Sequence, residues 1–429
     1  MNLGRLFPAT APPGPFRPGF FKSPLRGPWL TAILGSLLLI GMTIVALTGL
    51  FSHAAYEPDL GRNAIVPVDS DLPLLNIGWP AGPSWLYALN QGLHVTLGIV
   101  IIPLVLAKLW SVIPRLFAWP PVATPAMAIE RLAIGLLVSS AVFQLATGMA
   151  NIQSYYPFSF NFVVAHYYGG IVFIASMAVH VIVKMPVVVR AYRERGVLTP
   201  LRDDLAHTVS EPRDPNGLVA EAPSAPSITR RGLLGIVGAG SGLLLVATVG
   251  QSIGGPLRKL AFLAPRADQP GSGPNAFQVN KTAMGAGIKP EMMGQSYRLT
   301  LSMGENEMTL SREDLLALPQ RTESLPIACV EGWSTTQSWT GVPIAELARM
   351  AGATGAQTVL VESLQPAGIL NQATLNRAQF TDDRALLALK VNGADLSPDH
   401  GFPARIIVPA LPGVHNTKWV KAMSFKGAA

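Results

Sequence analysis

Four stretches of this sequence contain no aspartate, glutamate, lysine or arginine: those between Arg26 and Glu57, Asp71 and Lys108, Arg131 and Lys184, and Arg231 and Arg258. About 20 apolar residues make one helical bilayer crossing. Each stretch therefore holds at least one span, and the third holds two, with a turn at Asn151 to Pro157. We expect five spans, near residues 30–51, 86–109, 130–150, 162–185 and 232–251. The composition agrees: charged residues make up 13% of the chain, where about 25% is ordinary for soluble proteins, and the mean hydropathy is +0.36.

Lysine and arginine set the orientation. The arm of residues 1–27 carries Arg5, Arg17, Lys22 and Arg26 with no acid and is rich in proline and glycine, which predicts a disordered cytoplasmic tail. The segment after the first span is acidic, with Glu57, Asp59, Asp69 and Asp71 against Arg62, and belongs outside. Lys108, Arg115 and Arg131 mark the next cytoplasmic turn, and Lys184, Arg190, Arg193 and Arg195 return the chain to the cytoplasm. Residues 28–195 then form a four-span domain and 196–229 a cytoplasmic linker. Residues 230–252 form a fifth span that carries a domain at 265–429 to the outside. Arg230 and Arg231, in Ser227-Ile228-Thr229-Arg230-Arg231-Gly232, read either as a positive-inside anchor or as a segment that resembles a twin-arginine export signal. The net charge of +7 is mostly this topology, and no basic-aromatic pattern points to nucleic acid.

The chain has one cysteine, Cys329, in Cys329-Val330-Glu331-Gly332-Trp333-Ser334. A lone cysteine is by default a small buried hydrophobe, although its thiolate is also a soft, anionic metal ligand. It forms no internal disulfide, so the exported domain depends on its core and any cofactor. A second stretch reads Asp399-His400-Gly401-Phe402-Pro403-Ala404-Arg405, followed by Gly413, Asn416 and Lys418-Trp419-Val420, with Asn392-Gly393 in between. Together these resemble the molybdenum-ligand and pterin segments of the sulfite oxidase superfamily, especially the bacterial branch with the catalytic subunit of methionine sulfoxide reductase. The resemblance covers roughly residues 275 to 426. It implies that Cys329 ligates molybdenum held by molybdopterin. It also implies that His400, Arg405, Lys418 and Trp419 lie at the pterin and its phosphate, where a guanidinium and an ammonium suit an anion. Asn280 stands where relatives contact the cofactor, although an asparagine in a turn needs no such reason.

Four histidines fall in or beside the first four spans: His53, His94, His166 and His180. Polar groups inside a membrane are costly enough to imply function, although any one can be a hydrogen-bonded core residue. His166 and His180 are 14 residues apart, nearly four helical turns, hence on one face and separated by about 21 Å. His94 and His166 both lie near the outer ends of their spans and make the best bis-imidazole pair. Residues 24 to 192 resemble the bacterial cytochrome b family that serves hydrogenases and formate dehydrogenases, which implies haem b bound by His94 and His166, with His180 as a possible ligand of a second haem. Pro28 stands in Arg26-Gly27-Pro28-Trp29 where that family has a histidine, which leaves His180 without an identified partner. His53 is expected to be an exposed interfacial residue, with competition for the outer haem as the other possibility.

The fold expected is an all-α membrane bundle of four spans plus a fifth anchoring span, followed by an α+β molybdopterin-binding domain of sulfite oxidase type. Tyr297 to Leu301 and Thr358 to Glu362 alternate as strands. Ser311 opens a capped helix, and Pro343 to Met350 forms another. One departure narrows the function. Sulfite-oxidising relatives carry a tyrosine between the two motifs, but this chain has none after Tyr297, and Val330 and Glu331 follow the cysteine in place of an arginine. Arg377 and Arg384 lie between the motifs and read as solvated surface charges. Sulfite is therefore an unfavoured substrate. The expectation is a bacterial inner-membrane molybdopterin oxidoreductase whose exported domain exchanges electrons between a small periplasmic substrate and the quinone pool, with a lean to reduction of an S-oxide or N-oxide. A transmembrane haem conduit, or a cofactor-free binding module that has lost the chemistry, are the alternatives.

Overall fold

The computed structural model describes residues 6–17, 19–72, 77–213, 217–264, 272–368 and 371–427. Arg5 of the basic arm and residues 265–271 of the expected C-terminal domain lie outside them. Helices stand at every expected span: α1 (Pro28–Ala55), α2 (Leu86–Val100), α3 (Ile102–Leu116), α4 (Pro125–Ile152), α5 (Phe162–Arg195) and α6 (Arg230–Ile253). Four of them are long and apolar enough to cross a membrane, and α2 with α3, bent by 40°, makes a fifth if counted as one. The break at Ile101 has a local cause: Pro103 brings no backbone N–H and its ring clashes with the turn before it, so it suits only the first turn of a new helix.

The chain divides into two compact units. The first comprises residues 1–46 and 97–245. Pro28 opens α1, and Trp29 beside it is fully buried with Leu30, Leu34, Ala107 and Val237. The Trp29 indole donates to the Gly196 carbonyl at 2.9 Å, and the carboxylate of Glu211 accepts from its backbone N–H at 3.1 Å. Glu211 and Thr208, both in the linker, are buried, and Arg230 is buried with its guanidinium on the Val209 carbonyl at 2.7 Å. The described part of the arm also packs here, with Arg26 over the Trp110 ring and Phe16 against Phe117. Helices α4 and α5 approach closely because Gly169 offers no side chain toward Phe143 and Gln144.

The second unit comprises residues 47–96 and 246–429, so the end of α1, the first loop and most of α2 fall with the C-terminal domain and not with the other apolar helices. Its framework is two sheets built from β1 (Leu299–Met303), β2 (Asn306–Leu310), β3 (Arg321–Ala328), β4 (Ser334–Pro343), β5 (Thr358–Ser363), β6 (Gln372–Asn376), β7 (Leu386–Val391), β8 (Ala394–Asp395), β9 (Arg405–Ile407) and β10 (Val420–Lys426). One sheet runs β2-β1-β10-β5-β6, with β1 and β10 parallel. The other runs β3-β4-β7-β8, with β9 on β7. Strand β7 is almost wholly buried, which is why it reads as a continuous apolar run, whereas β5 alternates. Asn392 and Gly393, both at positive φ, close the β7–β8 hairpin as a two-residue turn requires. Ser311 and Asp314 form a capping box at α7 (Arg312–Ala317), and α8 (Ile344–Met350) follows β4.

The first loop is sewn onto these sheets. The Asn63 side chain donates to the Thr374 carbonyl at 2.8 Å and accepts from its N–H at 2.9 Å, imitating a strand partner on β6. The Trp79 indole donates to Ala410 at 2.7 Å. Buried Glu57 accepts from the side chains of Gln379 and Asn376. Ala54, Ala55, Trp79 and Tyr87 accordingly sit in one apolar core with Leu299, Val342, Leu387 and Val408. Asn63→Ala removes two backbone pairings at a buried position. It should lower the stability of this unit by about 1–3 kcal/mol, measured as earlier loss of protease protection across β5 and β6 on heating.

Candidate functional site

Cys329 follows the last residue of β3 and is 4% exposed. Its N–H donates to the Trp333 carbonyl at 2.9 Å, and its carbonyl accepts from Gly332 N–H at 3.0 Å, which closes a tight turn into β4. Gly332 is required there: its φ is +90°, and a Cβ would stand 2.7 Å from Val95. Glu331 accepts from the Trp333 indole at 2.8 Å, so these two motif residues brace the turn itself. Gln91, on α2, donates to the Val330 carbonyl at 2.6 Å, and Ser252 donates to the Gly332 carbonyl at 2.6 Å. The Arg258 guanidinium is held by the Ser334 and Gln251 carbonyls. On the opposite strand end, Gly413 N–H donates to the Ala328 carbonyl at 2.7 Å, which lays the 410–417 segment beside the cysteine.

A cleft opens at Cys329, lined also by Phe277, Gln278, Asn280, Trp333, His400, Arg405, Gly413 and Lys418. The fold thus brings together Cys329, Asn280, His400, Arg405 and Lys418, which the sequence set apart by as much as 138 positions. Arg405 is 2% exposed and donates to the His400 and Asn416 carbonyls, both at 3.1 Å, with its guanidinium over the Trp339 ring. Burial pulls its pKa down to about 9, so it remains charged at neutral pH. The Lys418 ammonium reaches the Lys281 and Asp399 carbonyls at 2.9 and 2.8 Å. His400 stacks on Phe277 at 3.7 Å, and its Nε2–H donates to the Asn275 carbonyl at 2.9 Å. Burial, then the charges of Arg405 and Lys418, push its pKa to about 3, so the ring is neutral. The Asn280 carbonyl oxygen accepts from Lys281 N–H at 2.9 Å. Trp419 is not among the lining residues: its indole donates to Pro398 at 2.7 Å, and its ring is buried with Ala283, Ala286 and Ile288.

Sequence reasoning passed over Gln278, His415 and Thr417. Around the cleft and the 410–417 segment, Gln278 Oε1, Arg405 Nε, Asn416 Nδ2 and Thr417 Oγ1 are buried without a hydrogen-bond partner among the described residues. Buried polar groups are nearly always paired, so this concentration marks a place built for a polar ligand. A charged guanidinium and ammonium beside unpaired amide and hydroxyl groups, with a thiol at one end, fit a phosphorylated heterocycle and its metal. The buried Tyr87 hydroxyl is hydrogen-bonded to the side chains of Ser52 and Tyr56. Arg377 and Arg384 do not line the cleft: the first holds the Thr354 and Ala356 carbonyls and the second pairs with Asp382 at 2.8 Å.

His166 and His94 are each held by the helix before their own. In the first unit, the Thr147 hydroxyl donates to the Phe143 carbonyl at 2.7 Å and stands 2.9 Å from His166 Nδ1. The hydroxyl proton being committed, Nδ1–H is the donor and the ring's lone pair lies on Nε2. Gly148 makes room, since a Cβ there would stand 3.3 Å from the ring. In the second unit His94 Nδ1 stands 3.3 Å from the Thr48 hydroxyl, and a Cβ on Gly49 would meet the ring at 2.9 Å. The same Thr-Gly pair serves both histidines. His180 is half-buried on α5. His53 departs from expectation: its side chain is only 8% exposed and pairs with Asp71 at 2.9 Å, because the first loop folds back over the end of α1.

His400 and His415, the latter pushed to about 4 by burial, stay neutral in the fold, whereas an unfolded histidine titrates near about 6.5. Below that pH the unfolded chain binds protons that the folded chain does not, so their contribution is full above about 6.5 and is lost as pH falls toward 4. The unfolding temperature of the cofactor-free protein should drop steadily across that window, and His400→Gln should make the drop shallower.

Residues 286–428 match the family described as oxidoreductase molybdopterin binding domain. Three curated relatives illustrate the range. The uncharacterized oxidoreductase YuiH of Bacillus subtilis is 32% identical over 122 residues, 28% of this chain and 60% of the relative. Mitochondrial sulfite oxidase of Rattus norvegicus is 29% identical over 163 residues, 32% of this chain and 30% of the relative. YedZ1 of Azospira oryzae, a protein-methionine-sulfoxide reductase subunit by its designation, is 28% identical over 135 residues, 31% of this chain and 50% of the relative. The chain spans 60% or less of the length of each. Cys329, His400, Arg405 and Lys418 lie inside residues 286–428, so the cationic part of the cleft falls within a region that matches a molybdopterin-binding oxidoreductase domain.

Proposed function

We propose that the protein is a membrane-bound molybdenum oxidoreductase that passes electrons between the quinone pool and a small substrate on the outer side, in the direction of S-oxide or N-oxide reduction. The observation that carries this reading is the cleft in which Cys329, Arg405 and Lys418 meet a set of unpaired buried polar atoms. Cys329 is the protein's ligand to molybdenum. Arg405 and Lys418 hold the anionic part of molybdopterin, Asn280, His400 and Gln278 contact its ring system, and Trp419 holds the Lys418 segment in place from its own apolar pocket. Bound there, molybdenum supplies two-electron exchange with the substrate, and haem b passes those electrons singly.

His94 and His166 are the haem b ligands in this reading, supported by the Thr-Gly pair that fixes each ring. His180 serves a second haem if one is present. The five apolar helices cross the bacterial inner membrane with the N-terminus in the cytoplasm and the C-terminal domain in the periplasm. Export of that domain by a twin-arginine route would use Arg230 and Arg231 before Arg230 takes up its buried place beside Val209. The reduction of an S-oxide is favoured because Val330 and Glu331 bring no cation next to the cysteine and because a relative carries that designation.

Elemental analysis of the detergent-purified protein, with haem quantified in parallel, tests the reading. A near-equal ratio of molybdenum to haem iron is expected, and twice as much haem iron would assign a second haem to His180. Cys329→Ser should abolish substrate-dependent haem reoxidation and leave haem content unchanged. Haem without molybdenum, from a host that makes the cofactor, would overturn the enzyme.

A further inference from the structure

We infer that Gln91 and Ser252 are positioning residues for Cys329, so that two apolar helices complete the turn that carries the thiol. This deepens the reading of Cys329 as the metal ligand and rests on it. The turn runs from Cys329 to Trp333, and each buried peptide carbonyl in it needs a donor. Two donors come from the turn itself: Cys329 N–H serves the Trp333 carbonyl, and Gly332 N–H serves that of Cys329. The carbonyls of Val330 and Gly332 are served from outside, by the Gln91 amide and the Ser252 hydroxyl, both at 2.6 Å. Just beyond, the Ser334 carbonyl accepts from Arg258, and the Ser334 hydroxyl donates to the Ser252 carbonyl at 2.7 Å. Gln91, Ser252 and Arg258 all lie outside residues 286–428, so the matched region does not supply these donors itself.

The helices are shaped for this contact. A Cβ on Gly92 would stand 2.9 Å from Ser252, so the glycine lets α6 bring the Ser252 hydroxyl to the turn. Val95, one helical turn after Gln91, packs on Gly332, where a Cβ would come within 2.7 Å. The Gln91 side chain is buried, and its orientation is fixed from α1: the Ser52 hydroxyl donates to Oε1 at 2.8 Å, which turns the amide nitrogen to Val330. One turn earlier on α1, the Thr48 hydroxyl stands 3.3 Å from His94 Nδ1, and the Thr48 carbonyl accepts from Asn90 at 2.9 Å. One face of α1 therefore holds both the candidate haem ligand and the residue that braces the cysteine turn.

The consequence for the thiol is geometric. A cysteine side chain has one torsion before its sulfur, so the backbone that carries it decides where the sulfur stands. The cations of the cleft do not hold this backbone: Arg405 is bonded to the His400 and Asn416 carbonyls and Lys418 to those of Lys281 and Asp399. A displacement of about 1 Å at a reacting centre, caused by a change remote from the chemistry, can cost about 100-fold in rate. Loss of the Gln91 or Ser252 bond should therefore leave the cofactor in place and change the surroundings of the metal.

The test uses the full-length, detergent-purified holoprotein as wild type, Gln91→Leu, Ser252→Ala and Asn63→Ala, with dimethyl sulfoxide as the probe substrate. Gln91→Leu keeps most of the bulk and removes the donor. It should retain molybdenum and haem, shift the g values of the Mo(V) EPR spectrum, and lower kcat at least tenfold with KM within twofold of wild type. Ser252→Ala should shift the spectrum too, and it carries the same comparison if Gln91→Leu fails to fold or to load. Asn63→Ala, which loosens the same unit at β6, should leave the spectrum unshifted. Loaded Gln91→Leu and Ser252→Ala proteins with wild-type spectra overturn the positioning role and leave the molybdenum reading intact. An equal shift in Asn63→Ala also overturns it, because general loosening would then be the cause. A wild-type protein that takes up no molybdenum overturns the metal reading and this inference with it.

Discussion

The Arg405 guanidinium is the constraint on which the site depends. It is a cation that remains charged at neutral pH, 2% exposed, held by two carbonyls and an aromatic face. Removing such a charge from water costs several kcal/mol unless an opposite charge compensates, and no carboxylate pairs with it among the described residues. The His400–Gly401 turn, the Asn416 amide on Val408 and the bracing of Lys418 all serve to hold this charge at the cleft. The unit is therefore organised for an anionic occupant, and its stability should rise with occupancy as for any ligand that binds only the folded state.

The second organising feature is the five-residue turn from Cys329 to Trp333. Its carbonyls are taken by Gln91 on one helix and Ser252 on another, and its glycine packs on Val95. Gln91 lies one helical turn before His94 on α2. A single hydrogen bond thus connects the residue beside the candidate metal ligand to the helix that bears a candidate haem ligand. The two chemistries we assign to this protein meet in that turn.

Much of this was legible in the sequence, for identifiable reasons. Charge-free stretches located the apolar helices because a charge within such a helix is costly, and Asn392-Gly393 and Ser311 announced a turn and a cap through local stereochemistry. Cys329, His400, Arg405 and Lys418 stood in short motifs, so their convergence could be expected. The packing of Tyr56 against His415 could not be found this way. Their meeting depends on contacts across more than 200 residues, such as Asn63 on Thr374 and Trp79 on Ala410, which leave no local pattern. His53 misled for the same reason, since its burial requires the first loop to return over it. Trp419 resembles a ligand contact in sequence, whereas its ring is committed to Ala283, Ala286 and Ile288.

The core shared by Ala54, Ala55, Trp79 and Tyr87 with the two sheets has a consequence for biogenesis. Those residues are synthesised long before the strands they complete and, by our topology, are already on the outer side when the C-terminal domain arrives. That domain must reach them lacking one wall of its own interior, with Val408, Leu411 and the Ala410 carbonyl uncovered. Completion is then an intramolecular docking event, comparable to the joining of two subunits but at the fixed high local concentration of a single chain. The cysteine turn, which receives Gln91 only at that moment, would be the last part of the site to assemble.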